Sequence, residues 1–322
     1  MSVRYYQQLA PWQQLLYLIS ISIGCAIIGT VITMGIIAGL YGRGMIWQIL
    51  QMTNTGTPDF INAFRIFIGL GNTLFVFFVP AVIFGYYVVR EPDEYLKIRN
   101  PFPPVLLLLS LGAMLFFLPT IDILGYFNHQ LKLPPALHGL DKWIHDSEAQ
   151  AAATVKIVLD MKTAGDLLVS LLVVAILPAL SEEFFFRGCM QTIFERWTKN
   201  THWAVWIGAF IFSFMHFEFL GFVPRLLMGA GLGYLFAWSG SIWPSVAAHC
   251  LNNGLAVWGY YAWQHHLVNT NPDSNVPMFG QAWIYLLSTA TSLFILVLYK
   301  RIALAYQPVE TEEQFADGEE LD

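Results

Sequence analysis

The stretch SEEFFFRGCM, residues 181–190, places two adjacent glutamates and an arginine within a segment that is apolar on both sides. The residues before it, 167–180, read LLVSLLVVAILPAL. Ionisable groups within a membrane span are costly, and they usually face the bundle interior or a water-filled cavity, where they need partners. Glu182, Glu183 and Arg187 therefore mark a candidate functional site.

The helical spacing gives the two glutamates different partners. Glu183 and Arg187 are four residues apart, with the acid N-terminal to the base, which is the favourable order for an ion pair on one helix face. Glu182 lies ~100° from Glu183 and ~140° from Arg187 at 3.6 residues per turn. Glu182 therefore needs a partner from another helix.

The next apolar segment offers His216, which ends the stretch FSFMH one turn after Phe212. Glu182 and His216 each lie 17 residues from Lys199, near the centre of the connecting turn. In an antiparallel hairpin they reach the same depth, about 25 Å from the turn. A lone histidine on an apolar face is more often a core residue, but the matched depth predicts that it meets Glu182.

A third polar group lies in HCLNN, where His249 and Asn253 are four residues apart and share a helix face, while Asn252 points elsewhere. Both side chains donate hydrogen bonds. With Glu182 and His216 they predict a converging site for hydrolysis by an activated water. A network that only holds helices together is the alternative, although serines, threonines and amides would suffice for that role.

The composition indicates a membrane protein. Of 322 residues, 56% are hydrophobic and 12% are charged, against about 25% charged in soluble domains. The net charge of −6 comes from residues 307–322, which hold seven acidic residues and no basic one. We expect this tail to be a solvated, disordered end. The rest of the chain is near neutral, so no nucleic-acid partner is expected.

The apolar segments predict an all-α polytopic bundle of about eight transmembrane helices, with seven as the main alternative. An α-bundle is favoured because barrel-like alternation is absent and backbone polar groups must be satisfied within the membrane. The candidate spans are 14–40, 66–89, 104–127, 167–194, 203–220, 282–299 and a pair within 224–263.

The chain divides into four parts. Residues 1–165 hold three spans and a long loop, 166–263 the polar core, 264–306 the last loop and span, and 307–322 the acidic tail. Within the long loop, Leu140 to Leu159 has the spacing of an amphipathic helix, which lies on the membrane surface or packs on the bundle as a connector.

Two further patterns concern packing and orientation. Gly229, Gly233 and Ala237 recur at every fourth position, which lets helices approach closely. Basic residues flank the spans at the second and fourth loops and after the last span, and none occurs in the seventh loop. This distribution predicts cytoplasmic termini. The third loop also has lysines, but it is long and mixes them with acids.

The polar residues form three motifs in order on successive helices. They are EExxxR at Glu182, Glu183 and Arg187, FxxxH at Phe212 and His216, and HxxxN at His249 and Asn253. Together they resemble the CPBP family of intramembrane proteases, which includes type II CaaX prenyl endopeptidases and bacteriocin-processing or immunity-related proteins. The resemblance covers about residues 165–263. It implies an eight-helix bundle around a cavity open to the cytosol and the bilayer.

The resemblance also implies roles for the residues. Glu182 and His216 would hold and deprotonate a water, and His249 and Asn253 would donate hydrogen bonds to the oxyanion. The supporting residues are Glu183, Arg187 and Phe212. The expected partners are the lipid bilayer and a membrane-associated or prenylated substrate. The protein is expected to be an integral multi-pass membrane protein, located in the plasma membrane if the host is bacterial.

Three alternatives stay open. Glu182 or Glu183 with His216 and His249 has the composition of a catalytic zinc site. No HExxH motif is present, so we favour a metal-free site with no cofactor, although ligands from three helices can still meet. A transporter is a second alternative, disfavoured because no half of the chain repeats with matching broken helices. A non-catalytic membrane protein that binds peptides is the third.

Overall fold

The computed structural model describes residues 8–131, 133–272, 274 and 276–306. These residues fold almost entirely into helices, and no strand occurs among them. The predicted all-α fold is therefore confirmed. The acidic tail, 307–322, lies outside the described residues, so the prediction of a disordered end stays a prediction.

We number the helices in chain order. They are α1 Pro11–Tyr41, α2 Gly44–Gln51, α3 Pro58–Val89, α4 Pro92–Tyr95, α5 Val105–His129, α6 His138–Val158, α7 Ala164–Thr198, α8 Thr201–Phe214, α9 Phe222–Ser239, α10 Trp243–Gln264 and α11 Ala282–Tyr306. Short 3₁₀ turns, Pro135–Leu137 and Phe219–Gly221, precede α6 and α9.

The described part of the chain has six helices that are long and apolar enough to cross a membrane: α1, α3, α5, α7, α9 with its preceding turn, and α11. Two more helices belong to the bundle but are less apolar or shorter. Helix α8 is a short apolar helix, and α10 carries His249, Asn252 and Asn253. The bundle thus agrees with the expected number of about eight, and the protein is an integral multi-pass membrane protein.

Two predicted spans differ from the structure at their ends. The span expected at 66–89 begins at Pro58, because the Thr57 side chain caps the helix by accepting a hydrogen bond from Phe60 N and proline occupies the first position. The span expected at 203–220 ends at Phe214. Its last predicted turn is wrong, since Phe217 adopts a left-handed conformation with φ 54°. His216 therefore lies beyond the helix.

The long loop contains the predicted amphipathic helix as α6, which is mostly exposed to its surroundings. It contacts the turn before α9 through Trp143, whose ring lies 5.1 Å from that of Phe219. The helix is confirmed, and these contacts show that one side of it packs on the bundle.

The linker between α6 and α7 is held by buried Arg65 of α3, which sequence reasoning did not single out. Its guanidinium donates to Val158 O at 3.0 Å, Asp160 O at 2.8 Å and Asp166 Oδ1 at 2.8 Å. From α10, Gln264 Nε2 donates to Leu159 O at 2.7 Å. The start of α7 is thereby fixed against two other helices.

The small residues of α9 lie where helices approach closely, as predicted. A Cβ atom added at Gly229 would lie 3.2 Å from the Phe212 ring, and one at Gly233 would lie 2.8 Å from Gln191 Oε1. A side chain at either position would therefore require its neighbour to shift, which is consistent with close helix packing. Their carbonyls accept hydrogen bonds from α7, each at 3.0 Å, from Arg187 and Gln191.

Candidate active site

Both glutamates lie in the α-helical segment Leu177–Glu183 of α7. Two π-helical segments, Leu171–Ile176 and Phe184–Gln191, flank it. π-Helical turns within α-helices occur frequently at functional sites. Glu183 is fully buried, and its Oε1 accepts a hydrogen bond from Arg187 Nη1 at 2.7 Å. The ion pair predicted from the four-residue spacing is present.

Arg187 connects three helices at this point. Its Nη2 donates to Gly229 O of α9 at 3.0 Å, and its guanidinium carbon lies 4.7 Å from the centre of the Phe212 ring of α8. A guanidinium at this distance from an aromatic face is attracted to it. Arg187 therefore holds the motif residues of α7 and α8 together, beyond neutralising Glu183.

His249 of α10 bridges the two glutamates. Its Nδ1 donates to Glu183 Oε1 at 2.9 Å, while its Nε2 lies 3.8 Å from Glu182 Oε2. The second distance is too long for a direct hydrogen bond. The sequence predicted that a residue from another helix would face Glu182, and His249 of α10 does so. The predicted proximity of His216 to Glu182 stays a prediction.

His216 joins the site through Phe212. Its Nδ1 donates to Phe212 O at 2.7 Å. The Phe212 ring lies 4.9 Å from the His216 ring and 5.9 Å from the His249 ring. Within the described residues no hydrogen bond or ion pair connects His216 with Glu182. Both histidine rings therefore lie against the Phe212 ring.

Asn253 is fixed against the backbone of α7. Its Nδ2 donates to Val174 O at 3.2 Å, and its Oδ1 accepts a hydrogen bond from Asn252 Nδ2 at 3.0 Å. The Val174 carbonyl lacks the usual donor four residues later, because Pro178 has no N–H. Asn253 and His249 both contact α7, in agreement with their predicted common face.

A polar cavity of about 650 Å³ adjoins the site. It lies among α5, α6, α9 and α10, and Asn252 connects it with Asn253. Its other charged or polar lining residues include Asp122, His129, Lys156 and Arg225. A second cavity, of about 310 Å³ and almost wholly apolar, lies between α5, α9 and α11. Met228 lines both cavities.

The donor groups do not form a three-ligand metal set. In the described part of the chain, no group of three or more His, Cys, Asp or Glu side chains could hold a metal ion. The Nδ1 atoms of His216 and His249 are engaged by Phe212 O and by Glu183. The Nε2 atoms of both histidines make no hydrogen bond among the described residues, and the metal-free site favoured from the sequence stays a prediction.

The structure thus defines a membrane-embedded helical bundle with a buried carboxylate–histidine site. The sequence model of the family described as type II CAAX prenyl endopeptidase Rce1-like matches residues 164–255. These residues run from the start of α7 into α10 and contain all three motifs. The resemblance to the CPBP family is confirmed over this segment, and the matched family is one of proteases. No curated protein and no solved structure matches the chain.

Proposed function

We propose that the protein is an intramembrane endopeptidase that hydrolyses a peptide bond of a membrane-associated or lipidated substrate, with CaaX-type processing as the reaction of choice. The observation that carries this proposal is the arrangement around His249. One ring nitrogen is bound to the buried Glu183, and the other faces Glu182 at 3.8 Å. Such a pair of carboxylates around one imidazole is suited to proton transfer.

Glu182 is the proposed general base. Its side chain is 14% exposed, and no hydrogen bond to its carboxylate occurs among the described residues, so its oxygens are available to a water. Glu182 takes a proton from this water as the water oxygen attacks the peptide carbonyl carbon. It then gives the proton to the departing amine, so that the products are a carboxylic acid and an amine.

His249 and Asn253 are the proposed oxyanion donors. Glu183 accepts a hydrogen bond from His249 Nδ1 and so fixes the orientation of the ring, from which a proton on Nε2 can be donated to the oxyanion. One N–H of the Asn253 amide donates to Val174 O, and its other N–H is the one available to substrate. Loss of one oxyanion donor typically lowers the rate by about 10²–10³-fold.

His216 is the proposed residue that orients the water. Because its Nδ1–H donates to the Phe212 carbonyl, the Nε2 of the neutral ring carries a lone pair and can accept a hydrogen bond. Glu183, Arg187 and Phe212 hold the reacting groups without touching substrate themselves.

The two cavities support a lipidated peptide as substrate. The polar cavity of about 650 Å³ has room and hydrogen-bonding groups for a peptide beside Asn252. The apolar cavity next to it is suited to a hydrocarbon chain, because its lining is almost wholly apolar. Their common residue, Met228, would lie near the junction between the peptide and its lipid. We further propose that both termini are cytoplasmic and that, if the host is bacterial, the protein lies in the plasma membrane.

The test is cleavage by the full-length protein in liposomes, followed by mass spectrometry. We expect a peptide with a prenylated cysteine followed by three residues to be cut, and its unprenylated form to be cut more slowly. Glu182→Gln should abolish cleavage while prenylated-peptide binding persists. Binding without any cleavage by the wild-type protein would instead favour the non-catalytic binding protein.

Metal removal tests the mechanism. We expect activity to survive exhaustive chelation, because the sequence has no compact zinc motif and because His249 and Asn253 offer a pair of hydrogen-bond donors for the oxyanion. One tightly bound zinc per chain, lost in His216→Ala and His249→Ala and needed to restore the stripped wild type, would contradict the metal-free mechanism.

A further inference from the structure

We propose that Glu148 of α6 is a positioning residue for His216. This inference rests on the proposed function, in which His216 orients the attacking water. His216 belongs to the connecting segment, which we define as residues 215–221 between α8 and α9. Glu148 contacts this segment from a helix that carries none of the three motifs.

The connecting segment has little internal support of its own. Phe217 is in the left-handed region with φ 54°, a conformation that is unfavourable for a residue with a bulky side chain. The backbone bonds around His216 reach back to α8, from His216 N to Ser213 O at 3.4 Å and from Phe217 N to Phe214 O at 3.1 Å. Arg225 of α9 also holds the segment, through Glu218 O at 3.2 Å and the Glu218 carboxylate. The remaining support comes from other helices.

The peptide groups of Leu220 are held from two sides. Leu220 N donates to Glu148 Oε1 of α6 at 2.7 Å. Asn128 of α5 donates through Nδ2 to Phe219 O at 2.9 Å and also to Leu220 O. One helix thus binds the N–H of Leu220 and another its carbonyl, which fixes the segment four residues after His216.

The Glu148 contact is strong for a physical reason. Leu220 N–H lies in the first turn leading into α9, where backbone N–H groups have no partner within the helix. A carboxylate at this end of a helix makes a charge-assisted hydrogen bond and is favoured by the helix dipole. Glu148, which is distant in the sequence, therefore caps the 3₁₀ turn that leads into α9.

Helix α6 can act as a rigid support for this cap. Its C-terminal end is bound through Val158 O to Arg65, and its N-terminal half contacts the connecting segment through the ring pair Trp143–Phe219 at 5.1 Å. A shift of a reacting group by about 1 Å can lower a rate by about 10²-fold. Loss of the Glu148 cap should therefore displace His216 and lower the rate.

The experiment compares three variants of the full-length protein in liposomes: Glu148→Ala, Glu148→Gln and the matched control Asp146→Ala, an exposed acid of the same helix. We expect Glu148→Ala to lower kcat by about 10–100-fold, with KM changed by less than about twofold, since substrate binding is retained. Glu148→Gln should keep most of the activity because its amide oxygen still accepts. Asp146→Ala should match wild type.

A second measurement does not depend on activity. Hydrogen exchange followed by mass spectrometry should become faster in peptides covering 215–221 in Glu148→Ala, and stay unchanged in Asp146→Ala. Unchanged kcat or unchanged exchange in Glu148→Ala would overturn the inference, as would an equal loss in the control. If the wild-type protein cleaves no peptide, the proposed function fails, while the exchange experiment still decides whether Glu148 fixes the segment.

Discussion

Two arginine–carboxylate pairs are buried in this bundle, and their surroundings differ. Arg65 and Asp166 are 2.8 Å apart, and Arg187 and Glu183 are 2.7 Å apart, with both arginines almost fully buried. Around Arg65, the guanidinium binds backbone carbonyls, and Asp166 also accepts from the backbone and hydroxyl of Thr163. That network closes on itself at the start of α7.

Around Arg187, the network does not close. Glu183 also accepts a hydrogen bond from His249 Nδ1. The Nε2 atom of the same ring lies 3.8 Å from Glu182, too far for a hydrogen bond. The chain of partners therefore ends at a carboxylate that is partly exposed. A buried ion pair alone therefore does not indicate an active site. The feature that distinguishes the Arg187 network is the Glu182 carboxylate at its end, which makes no hydrogen bond among the described residues.

The largest expected effect separates the two adjacent glutamates. Glu182→Gln should lower kcat by at least about 10²–10⁴-fold, the usual contribution of a general base, and leave the melting temperature unchanged. Glu183→Gln should lower the melting temperature, because Arg187 loses its buried counter-charge. Cleavage assays with thermal unfolding of both variants would measure this. Equal changes in melting temperature in Glu182→Gln and Glu183→Gln would contradict the different roles proposed for the two carboxylates.

Arg187→Ala should destabilise the fold by about 3–5 kcal/mol, as expected when one partner of a buried pair is removed. Glu183 would stay buried with its charge uncompensated, and the contacts to Gly229 O and Phe212 would be lost. Denaturant unfolding in detergent can measure the change. A stable Arg187→Ala protein with normal activity would contradict the role assigned to this network.

Asn253→Ala should lower kcat by about 10²–10³-fold, as expected for one oxyanion donor of two, and leave residual activity. It also removes the donor to Val174 O, so a modest loss of stability should accompany it. Asn252→Ala, which removes the donor to Asn253 Oδ1 and a cavity residue but keeps the contact to Val174, should raise KM more than it lowers kcat. Steady-state kinetics of both variants would check the expectation, and an unchanged kcat in Asn253→Ala would remove Asn253 from the site.

The smallest effect is expected at the closed network. Arg65→Ala should destabilise by about 2–3 kcal/mol, because two backbone carbonyls and a partly exposed carboxylate lose a charged donor. The kcat of the folded fraction should stay near that of wild type. Unfolding measurements combined with kinetics below the melting transition would test this. A loss of kcat as large as that of Glu182→Gln would show that both networks serve the reaction.

Local patterns in the sequence predicted the local contacts of the site. The Glu183–Arg187 pair follows from a four-residue spacing on one helix, and the close approach at Gly229 follows from the spacing of small residues. The position of His249 between the two glutamates could not be predicted, because it depends on how far three helices rotate against one another. Depth along a hairpin says nothing about that rotation.

The helix ends were harder to predict for a related reason. The apolar pattern continues past Phe214, and the first glycine after it is Gly221, so hydropathy gave no signal for the left-handed turn at Phe217. Arg65 was missed because the predicted span began at 66, which made it a flanking charge. The cap signature of Thr57 followed by Pro58 would have placed it inside the helix.

The contact between Asn253 and Val174 has a consequence for the order of assembly in the membrane. During synthesis α7 is made before α10, so Val174 O gains the Asn253 amide, and Glu182 gains its neighbour His249, only when a later helix arrives. Glu183 and Arg187, by contrast, can pair as soon as α7 forms. Helix α7 is therefore poorly suited to reside alone in lipid, and it should stay beside water or the insertion machinery until α10 arrives.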